Sequence, residues 1–272
     1  MNWRAIWAIV RKDLKVVLQN KGVSIPIIVV PLVMLVLLPA LVGFASALGA
    51  GPGSPLQDLR LFLDQMPAEL RAQLAGYDEL QAIVVLGLVY LLAPFFLIVP
   101  LMVASVIAAD SFAGEKERKT LEALLYTPTS DRELLTGKFL AAWLPAVGVA
   151  VLGFVLYVTV ANIAAWPIIG GILLPNLMWL LLVFWVAPAV AATGLAVSVL
   201  ISARAEGFQD AYQLSAIVVL PVIMLVVAQA SGVMYFSTLL VAALGAVLWL
   251  LSAILLWWGA RNFRRGEILS LR

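Results

Sequence analysis

The sequence contains no cysteine and no histidine, and only 12% of its 272 residues are charged. Without cysteine there are no disulfides or thiol nucleophiles, and without either residue there are no Cys/His zinc sites and no histidine-based triads. Soluble domains carry about 25% charged residues. This chain is instead 64% hydrophobic, with a mean hydropathy of +1.09, so the bilayer must be the solvent for most of it.

Long hydrophobic runs take up most of the chain. Each can supply the roughly 20 residues that cross about 30 Å of hydrocarbon, and no ionisable residue lies well inside any of them. We place the runs near residues 23–49, 81–109, 139–165, 173–201, 213–230 and 237–260. The sequence therefore predicts an all-α integral membrane protein, with six transmembrane helices forming a single domain over residues 1–272.

Residues 1–22 are predicted to form an amphipathic helix on the membrane surface. Basic residues lie mostly away from its apolar stripe, and tryptophans within the stripe suit the headgroup boundary. The stripe consists of Trp3, Ile6, Trp7, Val10, Leu14, Val17 and Leu18.

The segment 50–80 is predicted to contain two short amphipathic helices outside the cell. Ser54 and Pro55 provide an N-cap and a first-turn proline for one of them. Pro67 opens the other, which runs through Leu70 and Leu74. We interpret the segment as a lid over the ends of the spans.

The basic residues predict the orientation of the chain. With both termini in the cytoplasm, 15 of the 17 lysines and arginines fall on the cytoplasmic side, and only Arg60 and Arg71 fall outside. This division fits the positive-inside rule and an even number of spans. The cytoplasmic set is Arg4, Arg11, Lys12, Lys15, Lys21, Lys116, Arg118, Lys119, Arg132, Lys138, Arg204, Arg261, Arg264, Arg265 and Arg272.

Residues 110–138 form the most polar stretch and are predicted to face the cytoplasm. One helix is expected from Glu115 to Tyr126, and Pro128 stops it. Ser130 and Glu133 then form a capping box that starts a helix continuous with the third span. Such an element is either a docking surface that transmits force to the span, or a solvated loop that only carries topogenic charge.

A family resemblance favours the docking surface. The run GEKERKTLEALLYTPTSDRELLTGK, residues 114–138, closely resembles the cytoplasmic signature of ABC type-2 permeases, a class that includes sodium-efflux and drug-efflux permeases. Weaker resemblances are RKDLKVVLQNKG to the N-terminal interfacial helix of the family, SARAEGFQDAYQLS to its second cytoplasmic loop, and ARNFRRGEIL to its C-terminal ending. Some relatives place re-entrant helices between spans five and six, but here that connection is too short, so their substrates are not transferred to this chain.

The resemblance implies a coupling helix that docks on a separate ATPase. The residues that would face or support the ATPase are Glu115, Glu117, Arg118, Thr120, Leu121, Leu124 and Leu125. Three residues of the second cytoplasmic loop, Arg204, Glu206 and Gln209, are candidates for a further contact.

The expected function is that of the membrane permease of an ABC exporter in a prokaryotic cell membrane. Gly137-Lys138 lacks the upstream glycine of a phosphate-binding loop, so we expect ATP and Mg²⁺ on the partner ATPase and no cofactor, metal or catalytic site on this chain. Six spans suggest a homodimer or a paralogue heterodimer with two ATPase copies. The net charge of +2 gives no reason to expect nucleic acid.

The spans carry no charge at depth, which favours an amphipathic or lipid-like substrate, a drug or a peptide, over sodium ions. Two other functional classes stay open at this point. One is a lipid-modifying membrane enzyme, which would need a catalytic cluster near the interface. The other is a passive scaffold or channel, and a channel should show a ring of polar pore-lining residues.

The topology is testable by labelling single cysteines, because the chain has none of its own. We expect a cysteine at position 65 to react from outside the cell, and cysteines at positions 118 and 265 to react only from the cytoplasm. Reaction of positions 65 and 118 from the same side would contradict the predicted topology.

Overall fold

The computed structural model describes residues 2–48, 68–119, 129–202, 205 and 207–262. Across these residues the chain is helical and has no strand. The helices are α1 (Trp3–Gln19), α2 (Lys21–Leu32, continued by the π-helical turn Val33–Leu37 and by Leu38–Leu48), α3 (Ala68–Leu74), α4 (Glu79–Glu117), α5 (Asp131–Ile169), α6 (Leu177–Ser202), α7 (Phe208–Ala230) and α8 (Thr238–Asn262).

Six of the described helices, α2 and α4 to α8, are long and apolar enough to cross a membrane. The prediction of an all-α membrane protein with six spans is therefore confirmed. The spans α4 and α6 form the centre of the bundle, where 78% and 72% of their most apolar stretches are buried. The spans α2, α7 and α8 lie at the periphery and present apolar surface outwards, as helices facing lipid do.

An aromatic cluster fills the middle of the bundle around the fully buried Trp179 of α6. Its ring stacks on Tyr157 of α5 at 4.5 Å between centroids and meets Phe96 of α4 edge-on at 5.5 Å. Aromatic pairs of this kind contribute about 0.5–1.5 kcal/mol beyond the area they bury. The cluster therefore joins α4, α5 and α6.

The polar atoms of this aromatic cluster donate hydrogen bonds to backbone carbonyls in a π-helical turn of α4. The turn covers Leu86–Leu91, and π turns interrupt the regular i→i−4 hydrogen bonds of a helix. The indole nitrogen of Trp179 donates to the carbonyl of Val89 at 2.9 Å, and the hydroxyl of Tyr157 donates to the carbonyl of Leu88. Freed backbone groups inside a membrane bundle need such partners because no water is available to them.

The helix α1 packs against α5 with a different face from the one predicted. Ile6, Ile9 and Val10 are buried, whereas Trp3 and Trp7 are about half exposed. The predicted stripe of α1 is thus divided between a face on the protein and a face turned away from it. The division arises because the start of α5 extends beyond the apolar run and offers Gly137 and Ala141 as a flat surface.

The second of the two short helices predicted before α4 is present as α3, directly after Pro67. Its Leu70 and Leu74 are buried in the main core, beside the start of α4. The first predicted short helix lies outside the described residues.

A close approach between α2 and α5 gives a test of this packing. A Cβ atom added at Gly43 would lie 2.4 Å from the Cβ of Ala164 and 3.2 Å from its backbone carbon, so neither helix can yield locally. Gly43→Ala should cost about 1–3 kcal/mol of stability, as overpacking does. Gly148→Ala is the matched control, because a Cβ at that helical position meets nothing within 4 Å. Thermal unfolding in detergent measures both variants, and equal melting temperatures would contradict the packing.

Candidate functional site

Most of the charged residues that the structure describes gather at one end of the bundle, which we call the basic end. It comprises α1, the last two turns of α4, the first two turns of α5 and the connection between α6 and α7. At this end α4 continues eight residues past the predicted end of the span. A π-helical turn, Asp110–Gly114, carries it to Glu117, and Asp110 and Glu115 are buried although both are acidic.

The ammonium group of Lys138, on α5, lies at the centre of the buried charges. Its side chain is 1% exposed, and its Nζ atom donates to Glu115 Oε2 and to the backbone carbonyl of Ser111, each at 2.6 Å. The same nitrogen lies 3.6 Å from Asp13 Oδ2 of α1 and 5.1 Å from the centroid of the Phe112 ring. A single cation on α5 thus contacts two other helices, α1 and α4.

Lys12 of α1 closes the cluster from its outer side. It hydrogen-bonds Glu115 Oε1 and lies 3.1 Å from Asp13 Oδ1. Burial alone would lower the pKa of Lys12, but the hydrogen bonds and charges of Glu115 and Asp13 outweigh it and raise the pKa above its ordinary value. Lys12 therefore keeps its charge at physiological pH. Lys12, Asp13, Glu115 and Lys138 then form two positive and two negative charges, and we call them the four-charge cluster.

A second ion pair fixes the junction between α1 and α2. Asp110 Oδ1 accepts from the guanidinium of Arg118 and from the side-chain amide of Asn20, each at 3.1 Å. Asn20 in turn ends α1 and caps the start of α2, where its Oδ1 atom accepts the Gly22 N–H. The end of α4 is therefore bonded to the turn through which the chain enters the first span.

The end of α4 also holds the connection between α6 and α7. Glu117 Oε2 accepts the backbone N–H of Phe208 at 2.9 Å, which places a carboxylate at the positive N-terminal end of α7. Lys116 Nζ donates to the carbonyl of Ala205 at 3.0 Å. Glu115 thus bonds to α1 and α5, while Lys116 and Glu117 both bond to the connection between α6 and α7.

Balanced buried charges of this kind hold the helices that carry them in fixed relative positions. Each ion loses its hydration on burial and is stable only while its partners remain in place, so removal of one partner costs about 3–5 kcal/mol. The carboxylate oxygens of Asp13 lie 3.1 Å from Lys12 Nζ and 3.6 Å from Lys138 Nζ, so both lysines balance its charge. Within the part of the chain that the structure describes, no group of three or more acidic, histidine or cysteine side chains is suited to bind a metal.

Comparison with known proteins assigns the family. A family model described as "ABC-2 family transporter protein" matches residues 7–242, which include the whole basic end except the first four residues of α1. The chain belongs to the ABC-2 transporter family.

The permease is also similar to the "ABC transporter permease protein NatB" of Bacillus subtilis (strain 168), with 60% identity over 35 residues. That match covers 13% of the chain and only 9% of the relative. No solved structure matches the chain significantly. The chain is thus a multi-pass membrane subunit of an ABC transporter, a class that works with an ATPase subunit.

The structure brings the described members of the two predicted contacts together. Glu115 is buried in the four-charge cluster, so it supports the basic end from within. Glu117 is exposed and bonded to the start of α7, where Gln209 is also exposed, and the exposed Arg118 pairs with Asp110. The remaining predicted residues lie outside the described residues: Thr120, Leu121, Leu124, Leu125, Arg204 and Glu206.

The prediction of one helix from Glu115 to Tyr126 is wrong in its first part. The helix ends at Glu117, and the chain turns at Arg118 and Lys119, where Lys119 adopts φ +56°. The cause is the pairing of Glu115 with Lys138 and of Arg118 with Asp110, which outweighs helix propensity. By contrast, the capping box of Ser130 and Glu133 is present, and α5 runs from it into the third span as predicted.

Sequence reasoning missed Asp13, Asp110, Lys12 and Lys138 as members of a site. One signal was available, because Asp13 follows Ile6 and Val10 at helical spacing and so lies on the apolar face of α1. An acid on such a face needs a buried cation. Only the fold shows that this cation is Lys138, because Lys138 lies 125 residues further along the chain.

The four-charge cluster predicts how stable three variants of the protein should be. Lys138→Met should destabilise the permease by about 3–5 kcal/mol, because it leaves a surplus buried negative charge. Adding Glu115→Gln restores neutrality, so the double variant should be more stable than Lys138→Met alone. Lys119→Ala, which removes an exposed lysine, is the control and should have no effect. Thermal unfolding of the purified variants measures all three, and a wild-type melting temperature for Lys138→Met would contradict the cluster.

Proposed function

We propose that the permease couples ATP hydrolysis by a separate ATPase subunit to export of its substrate, with the ATPase docked on the basic end. The leucines of the predicted contact, Leu121, Leu124 and Leu125, dock on the ATPase, and Glu117 and Arg118 fix the register. ATP and Mg²⁺ bind to the ATPase. Arg204, Glu206 and Gln209 form a second contact beside the first.

The observation that carries this proposal is the way α5 begins. The helix starts at a capping box next to the segment 120–128 and runs unbroken for 39 residues to Ile169. At about 1.5 Å per residue this is close to 58 Å, enough to cross the whole membrane. The four-charge cluster ties its first turns to α1 and α4, so a force on the basic end moves the start of α5, from which the helix continues into the membrane.

The proposed orientation places the basic end and both termini in the cytoplasm of a prokaryotic cell. The positive-inside rule supports it, and so does the presence of Lys12, Arg118 and Lys138 at one end of the bundle. The assembly consists of two permease chains, identical or paralogous, and two ATPase subunits. A two-fold axis of this kind suits a membrane protein with six spans per chain.

An apolar crevice at the basic end supports an amphipathic substrate. It has a volume of about 240 Å³ and is lined by residues of α5, α6 and α8 and by Phe112 near the end of α4. Among its described lining residues, Thr136 alone carries a hydroxyl. Such a lining favours a lipid-like molecule, a drug or an apolar peptide over a sodium ion, which needs several oxygen ligands.

The two other functional classes lack a comparable observation. The family assignment favours transport over lipid modification and over a passive scaffold or channel. The buried charges of the basic end are engaged in pairs with one another and with backbone groups.

Leu121→Asp tests the docking contact. If Leu121 is an apolar anchor, the variant buries an unpaired carboxylate in the interface and should cost about 2 kcal/mol or more of binding, so the ATPase should dissociate or lose its coupling to transport. The measurement is co-purification with the ATPase together with substrate-stimulated ATP hydrolysis.

Lys119→Ala is the matched control, since an exposed charge at the rim of an interface contributes little. Expression level and melting temperature confirm that both variants fold. Normal complex formation and normal stimulation with Leu121→Asp would refute the docking contact and return the segment to the role of a solvated loop.

A further inference from the structure

The face of α1 that points away from α5 carries aromatic and basic side chains together. Trp3 and Trp7 are 57% and 50% exposed, and they line one groove with Arg4, Ala8 and Arg11. These residues recur at three- and four-residue spacing and therefore share one face of the helix. The opposite face, with Ile6, Val10 and Asp13, is buried.

The charges on this outer face are all positive. Arg4, Arg11 and Lys15 are exposed, and none of them forms an ion pair with a residue that the structure describes. The acid of the same helix, Asp13, lies on the buried face and is held by Lys12 and Lys138. The burial of Asp13 therefore leaves the outer face without a negative charge of its own.

The chain fixes the depth of this face in the membrane. The helix α1 ends at Gln19, and the first span α2 begins two residues later, at Lys21. A helix joined so closely to a span lies at the level of the lipid headgroups. Indole rings favour that level because one edge is apolar and the N–H can bond to polar groups.

We propose that the outer face of α1 is a binding site for anionic phospholipid headgroups. Arg4 and Arg11 bind the lipid phosphate and its net negative charge, while Trp3 and Trp7 lie beside the glycerol and the upper acyl chains. Guanidinium groups suit this ligand because they bond to phosphate oxygens through two N–H groups at once. The site holds α1 against the membrane while its other face holds the four-charge cluster, so it anchors the cluster to the bilayer.

The test is a lipid titration of the purified permease followed by native mass spectrometry, with phosphatidylglycerol and phosphatidylcholine as probes. The wild type should bind phosphatidylglycerol more tightly than phosphatidylcholine. Arg4→Gln combined with Arg11→Gln should weaken phosphatidylglycerol binding by about thirtyfold, because each of the two cations contributes about 1 kcal/mol near an anionic surface. Binding of phosphatidylcholine should not change.

The matched control is Lys119→Gln combined with Arg132→Gln, which removes two exposed charges from the same end of the bundle that do not belong to α1. It should keep the preference for phosphatidylglycerol. The proposal is overturned if the Arg4 and Arg11 variant keeps that preference, or if the control loses it equally. Loss of ATPase co-purification by the Arg4 and Arg11 variant with an intact lipid preference would also overturn it, because the face would then be a protein contact. This test does not depend on the docking proposal for Leu121.

Discussion

The ion pair between Lys138 and Glu115 is the interaction on which the basic end depends. Its two atoms lie 2.6 Å apart, and the two side chains are 1% and 4% exposed. An ammonium group without hydration needs full compensation, and Lys138 obtains it from one carboxylate, a carbonyl and a second acid on α1. If the pair were absent, Glu115 would need water, and α4 would have to end before it.

Three helices meet at this pair, and each contributes charges that balance those of the other two. The helix α4 brings an acid past the end of its apolar run, α5 brings the cation, and α1 brings Asp13 and Lys12 to complete the charge balance. The same end of α4 bonds to the starts of α2 and α7 through Asp110 and Glu117. The helices of the basic end are thus bonded into one unit, and α5 extends from it across the membrane.

At the far end of α5 the chain folds back on that helix. Gly170 ends the helix with φ +68°, and the side chain of Asn162 bonds to the backbone of Leu173 and Leu174 in the following turn. The side chain of Asn162 therefore links α5 to the connection with α6. Between its two ends the aromatic cluster of Trp179 joins α5 to α4 and α6.

The spans could be predicted because a 20-residue apolar run has one stable solution in a bilayer. The capping box at Ser130 could be predicted as well, since it depends on residues three positions apart. The four-charge cluster could not be predicted, because Asp13, Glu115 and Lys138 meet only after α1, α4 and α5 have packed. For the same reason the propensity of the Glu115–Lys119 region suggested a helix that tertiary ion pairing ends at Glu117.

The central claim is that α1 and α5 move as one body at the basic end. A disulfide tests it directly, because the chain has no cysteine and a Cβ built at Gly137 lies 3.0 Å from the Cβ of Ile9. The Ile9→Cys, Gly137→Cys variant should therefore form a bond after a small shift, since disulfides span about 3.5–4.5 Å between Cβ atoms. Substrate-stimulated ATP hydrolysis by the reconstituted complex should be the same oxidised and reduced. Loss of stimulation on oxidation, restored by a reductant, would show that the two helices must separate and would contradict the account.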